Sequence, residues 1–303
     1  MRMRTLLSCL LSLALSASLF GWTLEERFAQ GNRWESVPRE VLQEWVWPST
    51  SITEEEVDWL PTLQPIAEEL TAGCETPLAA ARALNQKLWK RIGVIYSPKR
   101  DKADQDPLHS MRIGMASCSG LSILLIDSCR ALGIPARFVS CIWRTKPGNH
   151  SWVEVYSGGT WTPLGAAEDC APEKLWFLAD AAEAVADEPK HAVYAARATL
   201  LPEGTRIAGW GVPAENITAR YAKPKAAEAT DVKVFIAAER AGERVAVPFR
   251  VAGKDYITPG PLQDLNDYAT VTFLSNTLFT LEMEGQRREY RAEPGAIIVV
   301  PLP

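Results

Sequence analysis

Between Leu121 and Leu132 the apolar positions Leu121, Leu124, Leu125, Cys129 and Leu132 fall three or four residues apart. That spacing predicts a helix with one buried face. Ser117 and Ser119 are residue types favoured at a helix start, and Gly133 followed by Pro135 ends the run. Downstream the period changes to two. Ala136–Trp143 (ARFVSCIW) is apolar and aromatic. His150–Tyr156 (HSWVEVY) alternates, with His150, Trp152, Glu154 and Tyr156 on one face and Ser151, Val153 and Val155 on the other. Ser157-Gly158-Gly159-Thr160 predicts a hairpin turn into a return strand, Trp161–Leu164.

Upstream of this block the pattern is helical. Val37–Trp47 is short and amphipathic, and Ser51–Leu60 opens with a Thr53-x-x-Glu56 capping box. Pro65–Ala72 continues the helical pattern. Thr76 caps a further helix with Pro77 in its first turn, burying Leu78, Ala81, Leu84, Leu88 and Ile92. Ser97–His109 is a charged loop. Beyond the hairpin, Asp169 to about Leu200 is expected to be helical, and Leu201–Lys225, broken by Pro and Gly, to be a connector. From Ala226 short alternating runs separated by Gly, Pro and Asn predict a small β-sandwich: Asp231–Ala238, Arg244–Val251, Thr270–Leu274, Thr277–Glu284, Arg287–Ala292 and Ala296–Val300. The expected division is therefore 1–21, 22–200, 201–225 and 226–303, in an α+β chain.

The candidate chemistry sits where the two periods meet. Cys118 falls in the first turn of the predicted helix, where unpaired N–H groups and the helix dipole favour a thiolate and can hold a developing oxyanion. If the hairpin packs on this helix, His150 faces the helix tip and can serve as base to Cys118. Carboxylates follow at Glu168 and Asp169. The order of thiol, imidazole and carboxylate is what a nucleophile, its base and an orienting group need. Against this stands the ordinary reading, in which Cys118 and His150 are packed core residues and Glu168 is a solvated loop carboxylate.

CSGLSILLIDSCRALGIPARFV, then NHSWVEVY, then GTWTPLGAAE resemble the core of the transglutaminase-like superfamily, which includes transglutaminases, bacterial thiol proteases and peptide N-glycanases. The resemblance spans roughly Leu84 to Phe177, with LWKRIGVIYSPKRDKADQDPLHSMRIG resembling the lead-in to the cysteine. It implies Cys118 as nucleophile, His150 as base and a papain-like packing of a helix on an antiparallel sheet. Family members carry Asp in a W-x-x-x-D pattern after the second tryptophan. Here that position is Gly165, and Glu168, three residues later, is the expected substitute, returned by a loop and matching a GAxE-type ending of bacterial members. Gln105 does not match the spacing of the oxyanion glutamine in papain-like proteases and is expected to be a solvated loop amide.

Composition narrows the class. The 303-residue chain is 47% hydrophobic and 23% charged, with a formal net charge of −5 and no basic cluster, which argues against a nucleic-acid partner. It has three histidines, His109, His150 and His191, and no C-x-x-C spacing, so neither a metal nor another cofactor is expected. Of eleven tryptophans, Trp143, Trp152 and Trp161 run through the motif region, as cleft wall or as core. Arg2 and Arg4, the uncharged stretch Thr5–Leu24 and the small residues Ser16–Ser18 resemble an export signal. An uncleaved anchor is the alternative. Removal of residues 1–21 leaves five cysteines: Cys118, expected free, and Cys74, Cys129, Cys141 and Cys170, expected to form up to two disulfides. The expected activity is that of an exported thiol enzyme acting on a peptide, protein or cell-envelope amide through an acyl-enzyme, with no stable membrane insertion after signal removal. The alternative is a catalytically inactive module that keeps the fold for binding.

Overall fold

Helix α1 spans Arg39–Trp45, α2 Leu60–Leu70 and α3 Pro77–Ile92, in a computed structural model that describes residues 24, 34, 37–168, 171, 174–222 and 231–303. The expected export segment, Asp169 and Cys170 lie outside these residues. The cap foreseen for α3 forms: Thr76 accepts a hydrogen bond from the Ala79 N–H at 3.2 Å, with Pro77 at the first position. The capping box at Thr53 does not. Residues 54–59 are irregular, and Glu54 instead accepts the backbone N–H groups of Ser51 and Ile52, the latter at 2.8 Å. A local turn outcompetes the helix start there, as polar side chains near their own backbone can.

A short helix, α4, spans Pro107–Ile113, and the predicted central helix follows as α5, Cys118–Arg130. Strands β1 (Ile95–Tyr96) and β2 (Met115–Ala116) pair in parallel just before it. Strands β3 (Ala136–Ile142), β4 (Asn149–Ser157), β5 (Thr160–Leu164), β6 (Tyr194–Ala196) and β7 (Ala214–Asn216) form one antiparallel sheet in the order β5-β4-β3-β6-β7. The segments expected to be a helix after Asp169 and a plain connector thus supply its last two strands. Leu178–Ala181, α6, is the only α-helix in that region among the described residues, with a 3-10 turn at Thr218–Arg220. The three-residue runs YAA and AEN are too short to show a period, so only the pairing of β6 with β3 and of β7 with β6 reveals them.

Alternation along β4 sorts its side chains as expected. Val153 and Val155 join Phe138, Leu121, Leu124 and Leu125 in the core under α5. Trp152 lies opposite, with Val139, Cys141, Phe177 and Val193. Helix and strand approach closely because serines line the crossing: Ser119 Oγ is 3.2 Å from Ser151 Oγ, and Ser122 Oγ donates to the Ser151 carbonyl at 3.3 Å. Gly120 is required on the opposite flank, where a Cβ would come 3.0 Å from the Cβ of Ala116. The far end of α5 is tied to the N-terminal lobe by buried Arg130, which donates to the Trp45 and Thr50 carbonyls and pairs with Asp127.

The C-terminal region is a two-sheet β-structure. One sheet pairs β8 (Asp231–Arg240) antiparallel with β12 (Ala269–Leu274) and parallel with β15 (Ile297–Leu302), with β9 (Glu243–Arg244) alongside. The other has the order β11-β10-β13-β14, from Lys254–Ile257, Pro248–Val251, Leu278–Met283 and Gln286–Arg291. Alternate residues of both, including Val234, Ile236 and Val300 against Phe249, Leu281 and Met283, fill the space between. Cys74, Cys118, Cys129 and Cys141 are all free thiols, so the disulfides expected among the first, third and fourth do not form. No helix among the described residues is long and apolar enough to cross a membrane.

Candidate active site

Cys118 is the first residue of α5, after Ser117 in extended conformation. Leu121 N–H is the first to bond back, to the Ser117 carbonyl at 2.9 Å. The N–H groups of residues 118–120 therefore have no intrahelical acceptor and face outward from the tip. Beside them is a cleft of about 260 Å³ lined by Cys118, His150, Glu168 and Trp176, with Tyr96 and two further carboxylates, Asp264 and Asp267.

His150, at the start of β4, is only 2% exposed. Its ring sits in an aromatic cage, with centroids 4.6 Å from Trp176, 5.1 Å from Phe177, 6.1 Å from Trp152 and 6.4 Å from Trp143. Its Nε2 lies 3.4 Å from Glu168 Oε1. Burial in the cage disfavours the imidazolium, but the neighbouring Cys118 and Glu168 prevail and raise the His150 pKa from 6.5 to about 9. The net result is a ring that holds its proton at neutral pH, between a sulfur and a carboxylate.

Glu168 reaches the ring because of what surrounds it. Gly165 lies beneath its side chain: a Cβ there would fall 2.5 Å from Glu168 Cδ and closer still to Oε2. The turn is pinned from α3. Asn85 Nδ2 donates to the Gly165 carbonyl at 2.8 Å and the Glu168 carbonyl at 3.1 Å, and Asn85 Oδ1 accepts the Ala167 N–H at 2.9 Å. Ala167 has a φ of 64°, in the left-handed region that costs a residue bearing a Cβ. Three hydrogen bonds from one buried amide hold that strained turn in place. Asn85 is 2% exposed on the apolar face of α3, and a lone amide in the series Ala81, Leu84, Leu88 was the available signal for it.

The C-terminal region enters the cleft through residues 259–268. Cys118 Sγ, a His150 ring nitrogen and an Asp264 carboxylate oxygen all lie within 4.8 Å of one another. Thiolate, imidazole and carboxylate are donor types that zinc accepts. Tyr96 hydrogen-bonds Asp264; burial, then the charges of Asp264 and Cys118, push its phenol well up, so it stays protonated and donates. Sequence spacing held no hint of Asp264, which stands 146 positions from Cys118 in a loop between strands. The other sequence candidates fall elsewhere. Gln105 is fully buried, not solvated, and its amide donates to Ser110 Oγ and the Met115 carbonyl instead of lining the cleft. His109 pairs with Asp101 at 2.7 Å, and His191 Nδ1 is 3.1 Å from the Ile142 carbonyl. Trp143 and Trp152 serve the cage, whereas Trp161 packs on Trp45 with Arg137 4.0 Å from its ring centre.

Residues 64–166 match the model of the transglutaminase-like superfamily. No curated protein matches the chain. Among solved structures, a proposed cysteine protease from Cytophaga hutchinsonii is 20% identical with a TM-score of 0.37, the match covering 46% of each chain. The periplasmic domain of TgpA from Pseudomonas aeruginosa, bound to ethylmercury, is 23% identical with a TM-score of 0.29, over 38% of this chain and 46% of that one. Red sea bream transglutaminase is 10% identical with a TM-score of 0.41, over 90% of this chain and 65% of its own. The chain thus spans less than half the length of the first two. The helix tipped by Cys118 and the antiparallel sheet that presents His150 both fall in or at the segment that matches the transglutaminase-like superfamily model, and it is to that core that this part of the chain is similar.

Proposed function

We propose that this chain is an exported thiol enzyme that cleaves or exchanges an amide bond through an acyl-enzyme on Cys118. The observation that carries this is the caged imidazole: His150 lies between Cys118 and Glu168 and retains its proton to about pH 9. Cys118 sulfur attacks the amide carbonyl carbon, and the carbonyl oxygen takes the negative charge toward the free N–H groups of the helix tip. His150 gives its proton to the nitrogen of the breaking C–N bond, and the amine leaves. Glu168 keeps the ring oriented and balances its charge. Water or an amine then attacks the thioester, His150 takes the proton from it, and the thiol is restored. Water as acceptor makes the protein a peptidase or amidase; an amine makes it a transamidase. Export is supported by the basic start and uncharged stretch of the first 21 residues.

The test is thiol reactivity with iodoacetamide at pH 7. Cys118 should alkylate at least about tenfold faster than a model thiol, and Cys118→Ala should remove that labelling. Peptide and amine-donor panels then separate hydrolysis from transfer. Ordinary reactivity of Cys118 would overturn the proposal and leave a binding module with the same fold.

A further inference from the structure

The Asp264 carboxylate does not stand free in the cleft. His150 keeps its proton at neutral pH, so an imidazolium faces it, and the Tyr96 phenol hydrogen-bonds it. Asp264 Oδ1 also accepts the Asn266 N–H at 2.8 Å. Its charge is thus met by the chain itself, and its consequence for a substrate is the space it takes. Cys118 Sγ, a His150 ring nitrogen and an Asp264 oxygen all lie within 4.8 Å of one another. An atom lodged between the sulfur and that oxygen needs about 3.5 Å to each, about 7 Å in all. No substrate chain fits through that gap.

The loop that carries Asp264 is seated on both regions of the chain. Pro259 and Pro261 restrict its backbone just after β11, and the Gly260 N–H donates to Gln263 Oε1 at 2.7 Å. Asp267 Oδ2 accepts the Asp264 N–H at 3.2 Å, and Arg244 donates to the carbonyls of Asp264 and Asp267 at 3.3 and 2.7 Å. Tyr268 packs edge-on against Phe235 of the sandwich. On the core side, the Asn266 amide bonds the carbonyl of Asn149, the residue before His150. It does so over Gly148, which has a φ of 94° and where a Cβ would collide with the Asn266 side chain. The turn between β3 and β4 therefore carries a glycine at the one place where the loop must come close. The cleft that remains, about 260 Å³, is smaller than the roughly 300–1,000 Å³ usual for small-molecule sites.

We propose that residues 264–267 wall off one side of the Cys118–His150 pair and restrict the enzyme to amides at or beside a chain end. This deepens the thiol-enzyme reading above and rests on it. The substrate enters past Leu121, Ala166, Ala167 and the partly exposed Trp176, and stops at Asp264. A polypeptide that continues on both sides of its scissile amide is excluded. The C-terminal region sets this limit while the core performs the chemistry.

The full chain is tested with two epoxides. The one-armed reagent is a 2,3-epoxypropionyl trialanine amide; the two-armed reagent is a trans-epoxysuccinyl group with trialanine amide on both carbonyls. In each, the Cys118 thiolate attacks a ring carbon, a C–S bond forms, the C–O bond breaks and His150 protonates the alkoxide. Each rate is divided by that of a free model thiol, after modification of the Cys118→Ala chain is subtracted. The one-armed reagent should then be favoured by at least about tenfold. That preference should fall toward the model-thiol value in the Asp264→Ala, Asn266→Ala double variant, which removes the side chains of the wall. It should survive in Asp264→Asn, which keeps the bulk and loses the charge, so that obstruction is told apart from electrostatics. A reactive thiol without the preference, a preference unmoved by the double variant, or one lost in Asp264→Asn overturns the wall alone. Slow labelling of Cys118 by iodoacetamide overturns the enzyme reading.

Discussion

Replacing Gly165 with Ala should disable the His150–Glu168 contact without touching either residue. The new Cβ would lie 2.5 Å from Glu168 Cδ, whereas carbon atoms rest about 3.5 Å apart or more, so the carboxylate must retreat by about 1 Å. Moving the ion pair from 3.4 Å to about 4.4 Å weakens it by about 1 kcal/mol at an effective dielectric of about 20, a roughly sixfold loss of proton affinity at the imidazole. With three histidines in the chain, the ring of His150 can be followed by NMR in a ¹⁵N-histidine sample. Its titration should move to lower pH in Gly165→Ala by just under about one unit, and the upper limb of the pH profile of iodoacetamide labelling of Cys118 should move with it. The paired change Gly165→Asp with Glu168→Ala should recover both, because the backbone at 165 is not left-handed and an Asp there projects into the vacated space. If Gly165→Ala titrates and labels like the parent chain, Glu168 does not hold the ring and a Cys118–His150 dyad is left.

The raised pKa of His150 also carries a stability signature. Because the folded state favours the protonated ring, its contribution is present in full below pH 6.5 and is lost as pH rises through about 9. Urea titrations of the parent and His150→Gln should differ most near pH 6, and that difference should shrink by up to about 3 kcal/mol by pH 9.5; a pH-independent difference contradicts the assignment. Arg137 and Glu154 form a buried pair at 2.6 Å on β3 and β4, so Arg137→Met should destabilise the chain by about 3–5 kcal/mol by leaving a buried carboxylate short of its main cation. A loss below about 1 kcal/mol would mean that Arg220 and Tyr221, which also bond Glu154, suffice.

The strands of the C-terminal region were legible because each alternates over several residues: Asp231–Ala238 lies within β8, and Ala296–Val300 overlaps β15. The four-residue strand Lys254–Ile257 was missed because KDYI exposes three of its four residues and offers no apolar period. In the core, β6 and β7 escaped notice for a similar reason. The turn 165–168 shows the intermediate case. Gly165 and Glu168 stood out in the sequence, yet the reason they belong together is Asn85, about eighty positions earlier.

The chain itself therefore determined what short periods encode: a helix that must begin at Cys118, a strand that must alternate from His150, and the register in which valines face that helix. Tertiary structure alone decided the electrostatics of the cleft. The cage of Trp176 and Phe177, the clamp from Asn85 and the carboxylate of Asp264 reach the same imidazole from segments far apart in the chain. Proton affinity depends on burial and on charges within a few ångströms. Those distances arise only when separate elements pack, so no local pattern of residues could contain them.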